Sequence, residues 1–251
     1  MSAQTESPLI IAHRGYSAQA PENTLAAFRL GWESGAHGVE CDVHLTADGN
    51  VVCIHDEDTE RVSGQKRIVV ESNWEQLRQL DVGSWKGEKY SGEPIPLLKD
   101  AIAAGPPSLI WVVEIKCGPE IVEPMLEAID STGHDWSRMT VISFNQESLR
   151  ALKATRPEVK AYWLSYLKEG DDGRFAPSVD AIVETVTALE CDGFGGQSGR
   201  GITADLSQAL RKVNLELNVW TVDDPDEARR LKALGVTSIT TNDPALILAS
   251  I

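Results

Sequence analysis

Four short polar groups stand at the ends of apolar segments: His13-Arg14-Gly15, Glu40-Cys41-Asp42, His55-Asp56 and Glu114-Ile115-Lys116. Together they supply three acidic side chains on strand-like segments, two histidines and two cations. Such a set is chemically able to hold one divalent metal ion and one phosphate diester, because carboxylates bind hard cations and Arg and Lys bind phosphate oxygens.

Glu40, Asp42 and Glu114 are the candidate metal ligands. Residues two apart on a strand share a face, so Glu40 and Asp42 point the same way. Paired acids often form only a solvated face, but here each is flanked by Val, Ile or Cys. A buried carboxylate needs a partner or a metal. Because zinc and copper favour imidazole or thiolate, these oxygen ligands favour Mg²⁺ or Ca²⁺.

His13 and His55 are the candidate acid–base pair. A lone histidine is more often structural, but a pair beside a carboxylate cluster favours proton transfer. Arg14 and Lys116 are the candidate phosphate ligands, and salt bridges from them to the same acids are compatible with that role.

Trp220 ends a later strand segment. Core packing is the commoner role of an aromatic residue there, although its position also allows it to wall the site.

Apolar segments and helical patterns alternate along most of the chain. Strand segments lie at 8–12, 38–45, 109–115, 140–143, 159–164, 192–196, 215–221 and 237–241. Longer helical patterns lie at 22–35, 119–130, 146–155, 179–189, 204–213, 225–235 and 244–251. Eight strands, each followed by a helix, are the count of a (β/α)₈ barrel. A doubly wound open sheet is the alternative, but it usually carries a glycine-rich phosphate loop after its first strand, unlike His13-Arg14-Gly15.

Residues 51–55 and 56–95 interrupt this alternation. The first segment predicts an extra strand, joined to the second barrel strand through Asp48-Gly49, which is a hairpin signal. The second segment is polar and glycine-rich, with a short helix expected at 73–80. We interpret it as a small insertion within a single catalytic domain that spans residues 1–251. Core packing is the expected role of its tryptophans, Trp74 and Trp85.

The charge balance argues against two classes of partner. The chain has 251 residues, a net charge of −15 and a sequence pI near 4.7. An acidic surface disfavours nucleic acid and gives no attraction to anionic membranes. No apolar segment is long enough to span a bilayer, and residues 1–7 lack the features of a signal peptide. We therefore expect no stable membrane association; the oligomeric state is left open.

The four cysteines give no sign of a metal or disulfide framework. Their spacing matches no zinc template and no CxxC pair. Three of them lie in or beside apolar segments, which predicts buried free thiols. A reducing, cytoplasmic location is the expectation that follows.

Read together, these motifs resemble those of the glycerophosphodiester phosphodiesterase family. The stretches that carry the resemblance run from the first strand to the last helix, and in this order they are highly specific. They are His13-Arg14-Gly15, Pro21-Glu22-Asn23-Thr24, Glu40-Cys41-Asp42-Val43, Asp48-Gly49, His55-Asp56, Leu80-Asp81-Val82-Gly83-Ser84-Trp85, Ile95-Pro96-Leu97, Glu114-Ile115-Lys116, Val219-Trp220-Thr221-Val222 and Thr241-Asn242-Asp243-Pro244.

The resemblance implies a TIM barrel with a small insertion after the second strand. It also implies cleavage of glycerophosphodiesters to sn-glycerol 3-phosphate and an alcohol with a divalent cation, Mg²⁺ or Ca²⁺. The implied metal ligands are Glu40, Asp42 and Glu114. The implied acid–base pair is His13 and His55, and the implied phosphate and substrate residues are Arg14, Lys116, Glu22 and Trp220.

One alternative keeps the barrel and changes the substrate. A lysophospholipase D, or another phospholipase C-like enzyme that acts on lipids, would need an apolar or basic membrane face, which the sequence does not show. A barrel without catalytic function is a second alternative, and the intact histidines and acids speak against it.

Overall fold

The structure is a computed structural model that describes residues 7–251. The expectation that the chain begins without a signal peptide concerns residues 1–7, nearly all of which lie outside this range. The strands are β1 (Leu9–Ala12), β2 (Gly38–Leu45), β3 (Val51–Cys53), β4 (Ile110–Ile115), β5 (Met139–Ser143), β6 (Lys160–Ser165), β7 (Lys168–Glu169), β8 (Phe175–Ala176), β9 (Gly193–Gln197), β10 (Glu216–Trp220) and β11 (Ser238–Thr241). The α-helices are α1 (Leu25–Glu33), α2 (Glu60–Ser63), α3 (Trp74–Leu77), α4 (Leu98–Ala104), α5 (Val122–Asp130), α6 (Gln146–Thr155), α7 (Val179–Ala188), α8 (Ala204–Lys212), α9 (Pro225–Leu234) and α10 (Pro244–Leu248).

Eight of these strands form a closed parallel barrel. Their order around the barrel is β1, β2, β4, β5, β6, β9, β10 and β11, and β1 closes it by pairing with both β2 and β11. The hairpin strand β3 pairs with β2 in the antiparallel sense. The prediction of a (β/α)₈ barrel is confirmed, and the open sheet is excluded.

Side-chain alternation along the strands builds two layers. One set of large side chains fills the barrel interior, namely Ile11, Val112, Ile142, Tyr162 and Leu164. The alternate positions pack outward against the helices, as Val39, Cys41 and Val43 do from β2. This alternation also puts Glu40 and Asp42 on one face of β2.

Packing inside the barrel explains the glycines of β9. A Cβ at Gly193 would lie 2.7 Å from the Tyr162 ring, and a Cβ at Gly195 would overlap Leu164. Both large side chains come from the neighbouring strand β6. Glycine in β9 therefore leaves the space that they fill.

The segment between β3 and β4 has a small core of its own. This core is formed by Val52, Ile54, Val62, Val69, Leu77, Leu80, Val82, Ile95 and Leu97. The short helix expected at 73–80 is present only as α3, Trp74–Leu77. Helix α4 was not predicted from the sequence; it follows Leu97 without a side-chain cap and returns the chain to the barrel.

Trp85 corrects one expectation about this segment. Its side chain is 46% exposed, with the indole nitrogen donating to the Val82 carbonyl at 2.8 Å. Core packing was therefore the wrong expectation for Trp85, whereas Trp74 packs partly buried against the small core. Ile68 and Val70 are exposed as well. The insertion thus presents more apolar surface than its polar composition suggests.

Between residues 7 and 251, no helix has both the length and the apolar character needed to cross a bilayer. All four cysteines are free; Cys41, Cys53 and Cys191 are buried, and Cys117 is half-buried.

Candidate active site

The predicted chemical groups converge at the carboxyl ends of the first barrel strands. His13 and Arg14 directly follow β1, Glu40 and Asp42 lie in β2, and Glu114 lies in β4. Asp42 and Glu114 are direct neighbours in the β2–β4 register. This end of a (β/α)₈ barrel is where such enzymes carry their active sites.

Glu40, Asp42 and Glu114 form a compact buried cluster. Each offers one carboxylate oxygen, and these oxygens lie within 4.8 Å of one another. Glu40 Oε1 and Asp42 Oδ1 are buried and have no hydrogen-bond partner. Buried carboxylate oxygens without partners are energetically costly. A divalent cation that prefers oxygen ligands fits this donor set.

Burial and nearby charges shift the pKa values of the three acids in different directions. Burial, together with Asp42 and Glu114, raises the pKa of Glu40 well above its usual value. Burial and Asp42 raise the pKa of Glu114 to about 7. Burial also opposes ionisation of Asp42, but Arg14, His55 and Lys116 outweigh it and hold the Asp42 pKa below its usual value. Without added positive charge, the cluster therefore favours ionised Asp42 over three ionised carboxylates.

Arg14 and Lys116 border the acidic cluster on two sides. Arg14 Nε lies 3.1 Å from Asp42 Oδ2, and the Arg14 backbone N–H donates to Glu40 Oε2 at 2.8 Å. Lys116 Nζ donates to Glu114 Oε1 at 2.7 Å and lies 3.7 Å from Asp42 Oδ1. Both cations are mostly buried, so they act in a medium where charge is poorly screened. They are placed to attract an anion to the acidic cluster.

The first histidine is held by an amide. His13 Nδ1 lies 2.7 Å from Asn242 Oδ1, while Asn242 Nδ2 donates to the Asp223 carboxylate at 2.6 Å. A carboxylate only accepts, so the amide orientation is fixed and His13 Nδ1 must carry the proton. In neutral His13, Nε2 is therefore unprotonated and can accept a proton. Burial, followed by Arg14, lowers the His13 pKa and favours this neutral form.

The second histidine is held by a carboxylate. His55 Nδ1 donates to Asp56 Oδ1 at 2.7 Å, and Lys116 Nζ lies 3.2 Å from His55 Nε2. Beneath it, His44 Nε2 donates to the His55 carbonyl at 3.1 Å. An open cleft of about 480 Å³ lies here, lined by His44, His55, Asp56, Glu57, Asp58 and Lys116. A larger groove of about 550 Å³ runs along α1, but none of these chemical groups lines it.

The turn after β1 brings Arg14 back over the acids. Arg14 has φ 53° and Gly15 has φ 77°, so two successive residues adopt the left-handed conformation. A Cβ at Gly15 would come within 2.6 Å of the Ala27 carbonyl oxygen and the Phe28 amide nitrogen. Only glycine lets this turn pass so close to the backbone of α1.

Gly15→Ala is therefore expected to lower the free energy of unfolding by about 2–5 kcal/mol, the sum of left-handed strain and overpacking. Gly49→Ala is the matched control, because Gly49 has φ 79° but no atom within 4 Å of an added Cβ. We expect it to cost only about 1–2 kcal/mol. Urea unfolding of both variants measures the difference; equal losses would show that the contact with α1 is unimportant.

Aromatic side chains form a wall at the same end of the barrel. Trp220 contacts Phe144 edge to face at 5.5 Å and Tyr166 at 5.4 Å between ring centroids. Phe144 and Tyr166 are stacked at 5.1 Å, and Lys116 Nζ lies 5.9 Å from the Phe144 centroid. Tyr166 is 49% exposed. Trp220 thus packs within an aromatic group beside Lys116.

Glu22 lies next to Arg14 rather than among the three clustered acids. Its Oε1 accepts from Arg14 Nη1 at 2.8 Å. Burial opposes its ionisation, but hydrogen bonds from Arg61 and the charge of Arg14 hold the Glu22 pKa below its usual value. The Glu22 carboxylate therefore orients Arg14.

Several supporting residues received no role from the sequence. Asn23 Nδ2 donates to Asp42 Oδ2 at 2.8 Å, and its Oδ1 accepts from the Asp42 N–H at 3.1 Å. Asn23, Asn242 and Asp56 lie in the stretches that carry the family resemblance, so the sequence contained a signal that could have identified them as site residues. Asp223 and Arg61 stand in none, and only the fold shows their contacts.

Comparisons with known proteins find matches over nearly the whole chain. Residues 13–246 match the model of the glycerophosphoryl diester phosphodiesterase family. A glycerophosphodiester phosphodiesterase of Caldanaerobacter subterraneus subsp. tengcongensis is 35% identical over 245 residues, which are 96% of this chain and 96% of that protein.

Solved structures extend the comparison to three dimensions. A phosphodiesterase of Oleispira antarctica, in complex with the product sn-glycerol-3-phosphate, matches with a TM-score of 0.87 and 29% identity, covering 97% of this chain and 96% of that chain. A glycerophosphodiester phosphodiesterase of Thermotoga maritima matches with a TM-score of 0.77 and 26% identity, covering 96% and 97%.

Proposed function

Because the chain belongs to the glycerophosphoryl diester phosphodiesterase family and hydrolyses glycerophosphodiesters to sn-glycerol 3-phosphate and an alcohol, we propose residue roles for this reaction. The observation that carries them is the convergence of the buried acids with two differently supported histidines and two cations. Assay of glycerophosphocholine hydrolysis by the purified protein tests the activity.

Glu40, Asp42 and Glu114 are the residues that would hold the divalent cation, with Mg²⁺ and Ca²⁺ as the two candidates. The unpartnered oxygens of Glu40 and Asp42 support this role. When bound, the cation would offset negative charge on the phosphoryl oxygens in the transition state. Arg14 and Lys116 supply fixed positive charge beside the same oxygens.

The two histidines differ in their partners, and we assign their roles on that difference. His13 is held by a neutral amide that leaves Nε2 free to accept a proton. His55 Nδ1 donates instead to the negatively charged Asp56 carboxylate. His13 is therefore the general base, and His55 is the general acid. These roles require Lys116 Nζ, which lies 3.2 Å from His55 Nε2, to leave that nitrogen for the phosphate when substrate binds.

The proposed reaction is a displacement at phosphorus. His13 removes a proton from the nucleophile while the new P–O bond forms. The bond to the alcohol then breaks as His55 donates a proton to the leaving oxygen. The nucleophile is either water, which gives the product directly, or the glycerol 2-hydroxyl, which gives a cyclic phosphate that water opens. Arg14 and Lys116 stabilise the equatorial oxygens where charge develops.

Small, deacylated diesters such as glycerophosphocholine or glycerophosphoethanolamine are the proposed substrates. The site is lined by charged groups, and the net charge of −15 opposes binding to anionic membranes. Ile68, Val70 and Trp85 of the insertion are exposed, and a lysophospholipase D, which is the alternative, would bind its lipid on this apolar surface.

We also infer a single catalytic domain and a cytoplasmic location, and four free thiols support the location.

We expect kcat/KM to be higher for glycerophosphocholine than for lysophosphatidylcholine. Each acyl methylene that finds an apolar surface contributes about 0.8 kcal/mol, so a lipid enzyme would show a large gain with the lysolipid. The measurement is a direct comparison of the two substrates under identical conditions. A clear preference for the lysolipid that disappears in Trp85→Ala would instead identify a lysophospholipase D.

A further inference from the structure

Arg61 reaches from the insertion into the candidate active site. It lies in α2, and three of its N–H groups donate to two acids. Nη1 and Nη2 bind Glu22 Oε2 and Oε1 at 3.0 and 2.8 Å, and Nε binds Asp56 Oδ2 at 2.6 Å. The planar fork of arginine thus spans two carboxylates that come from different loops.

Both carboxylates lead directly to proposed catalytic groups. Asp56 uses its other oxygen to accept from His55 Nδ1 at 2.7 Å. Glu22 uses Oε1 to accept from Arg14 Nη1 at 2.8 Å. A continuous chain of hydrogen bonds therefore runs from His55 through Asp56, Arg61 and Glu22 to Arg14.

We propose that Arg61 is a positioning residue that fixes the general acid His55 relative to the phosphate ligand Arg14. The proposal rests on the proposed function, because it assigns Arg61 its effect through these two residues. It also gives the insertion a catalytic purpose, since α2 is the element that carries Arg61 over the barrel.

The geometry distinguishes this contact from an ordinary surface ion pair. Exposed pairs contribute little when two flexible side chains must be ordered for one contact. Arg61 is 45% exposed, but it makes a two-point contact with a mostly buried Glu22 and a third bond to Asp56. Charge-assisted two-point pairs are stronger and fix orientation as well as distance.

Other insertion residues touch the same loop without reaching a charged group of the site. Lys86 Nζ donates to the Ser17 carbonyl at 2.6 Å, and the Tyr90 hydroxyl donates to the Gln19 carbonyl at 2.7 Å. These contacts help to hold the loop after β1 in place. Arg61 adds a link between the loop that carries Glu22 and the loop that carries His55.

The test compares Arg61→Ala with Arg78→Ala. Arg78 is also an exposed arginine of the insertion, but it contacts Glu75 and no residue of the site. For each protein, kcat and KM for glycerophosphocholine, the melting temperature and the His55 Nδ1–H signal in ¹⁵N NMR are measured. The NMR signal reports the Asp56 hydrogen bond independently of turnover.

We expect Arg61→Ala to lose about 10²-fold in kcat, the scale of a small misplacement of a reacting group, while KM changes little. Its His55 Nδ1–H proton should exchange faster with solvent, and added methylguanidinium should restore part of kcat. Arg78→Ala should behave as the unmodified protein. Arg61→Lys, which keeps the charge without the fork, should recover only part of the activity and replaces Arg61→Ala if that variant does not fold.

Two results would overturn the proposal. One is a kcat for Arg61→Ala equal to that of Arg78→Ala. The other is a fall in kcat with an unchanged His55 Nδ1–H signal, because Arg61 would then act by another route. An unmodified protein that does not hydrolyse the diester would refute the proposed function instead, and the NMR comparison would still decide whether Arg61 fixes His55.

Discussion

Glu114→Gln is expected to lower kcat by about 10³-fold or more and to weaken binding of Mg²⁺ or Ca²⁺ strongly. The variant keeps the size of the side chain but removes one of the three carboxylates, with Asp42 and Glu40, that would bind the cation. Several kcal/mol of transition-state stabilisation depend on a bound cation, and about 1.4 kcal/mol corresponds to a factor of ten in rate. Treatment with EDTA should abolish activity, and added divalent cation should restore it.

Titration calorimetry with each cation and kinetics with glycerophosphocholine measure the two effects. Glu147→Gln is the matched control, because Glu147 is exposed on α6 and pairs with Arg150, three residues later. It should bind cation and turn over substrate normally. Full activity in Glu114→Gln, or activity that survives EDTA in the unmodified protein, would refute the assignment of the metal site.

The parts of the site that the sequence predicted are those set by local geometry. A strand places residues two apart on one face, so the pairing of Glu40 with Asp42 followed from β2 alone. Parallel strands end at the same edge, so a barrel brings Glu114 to the same place. The register of Asp42 against Glu114 agrees with that reasoning.

The parts that the sequence did not predict depend on long-range closure. Asn242 meets His13 across 229 residues, because β11 closes the barrel beside β1. Arg61 meets Glu22 across 39 residues, because the small core of the insertion places α2 beside the loop after β1. No local periodicity encodes such contacts. The exposure of Trp85 was likewise decided by how this small core folds, which a polar composition does not reveal.

His13→Ala and His55→Ala are each expected to lower turnover of glycerophosphocholine by about 10²–10⁴-fold, the usual contribution of a general base or acid. The two variants should differ when the leaving group changes. Choline is a poor leaving group that needs a proton, whereas p-nitrophenolate leaves without one. With the p-nitrophenyl diester of glycerol 3-phosphate, His55→Ala should therefore recover most of its lost activity, and His13→Ala should not.

The difference follows from the partners of the two rings. His55 donates its Nδ1 proton to the Asp56 carboxylate, whereas the Asn242 amide leaves His13 with an unprotonated nitrogen that accepts. His134→Ala is the control, because the His134 ring contacts the Leu109 carbonyl and none of the proposed catalytic groups. Near-normal turnover of glycerophosphocholine by His55→Ala would make His55 structural. Recovery by His13→Ala in place of His55→Ala would reverse the two roles, and the asymmetry between amide and carboxylate would then not decide which histidine is the acid.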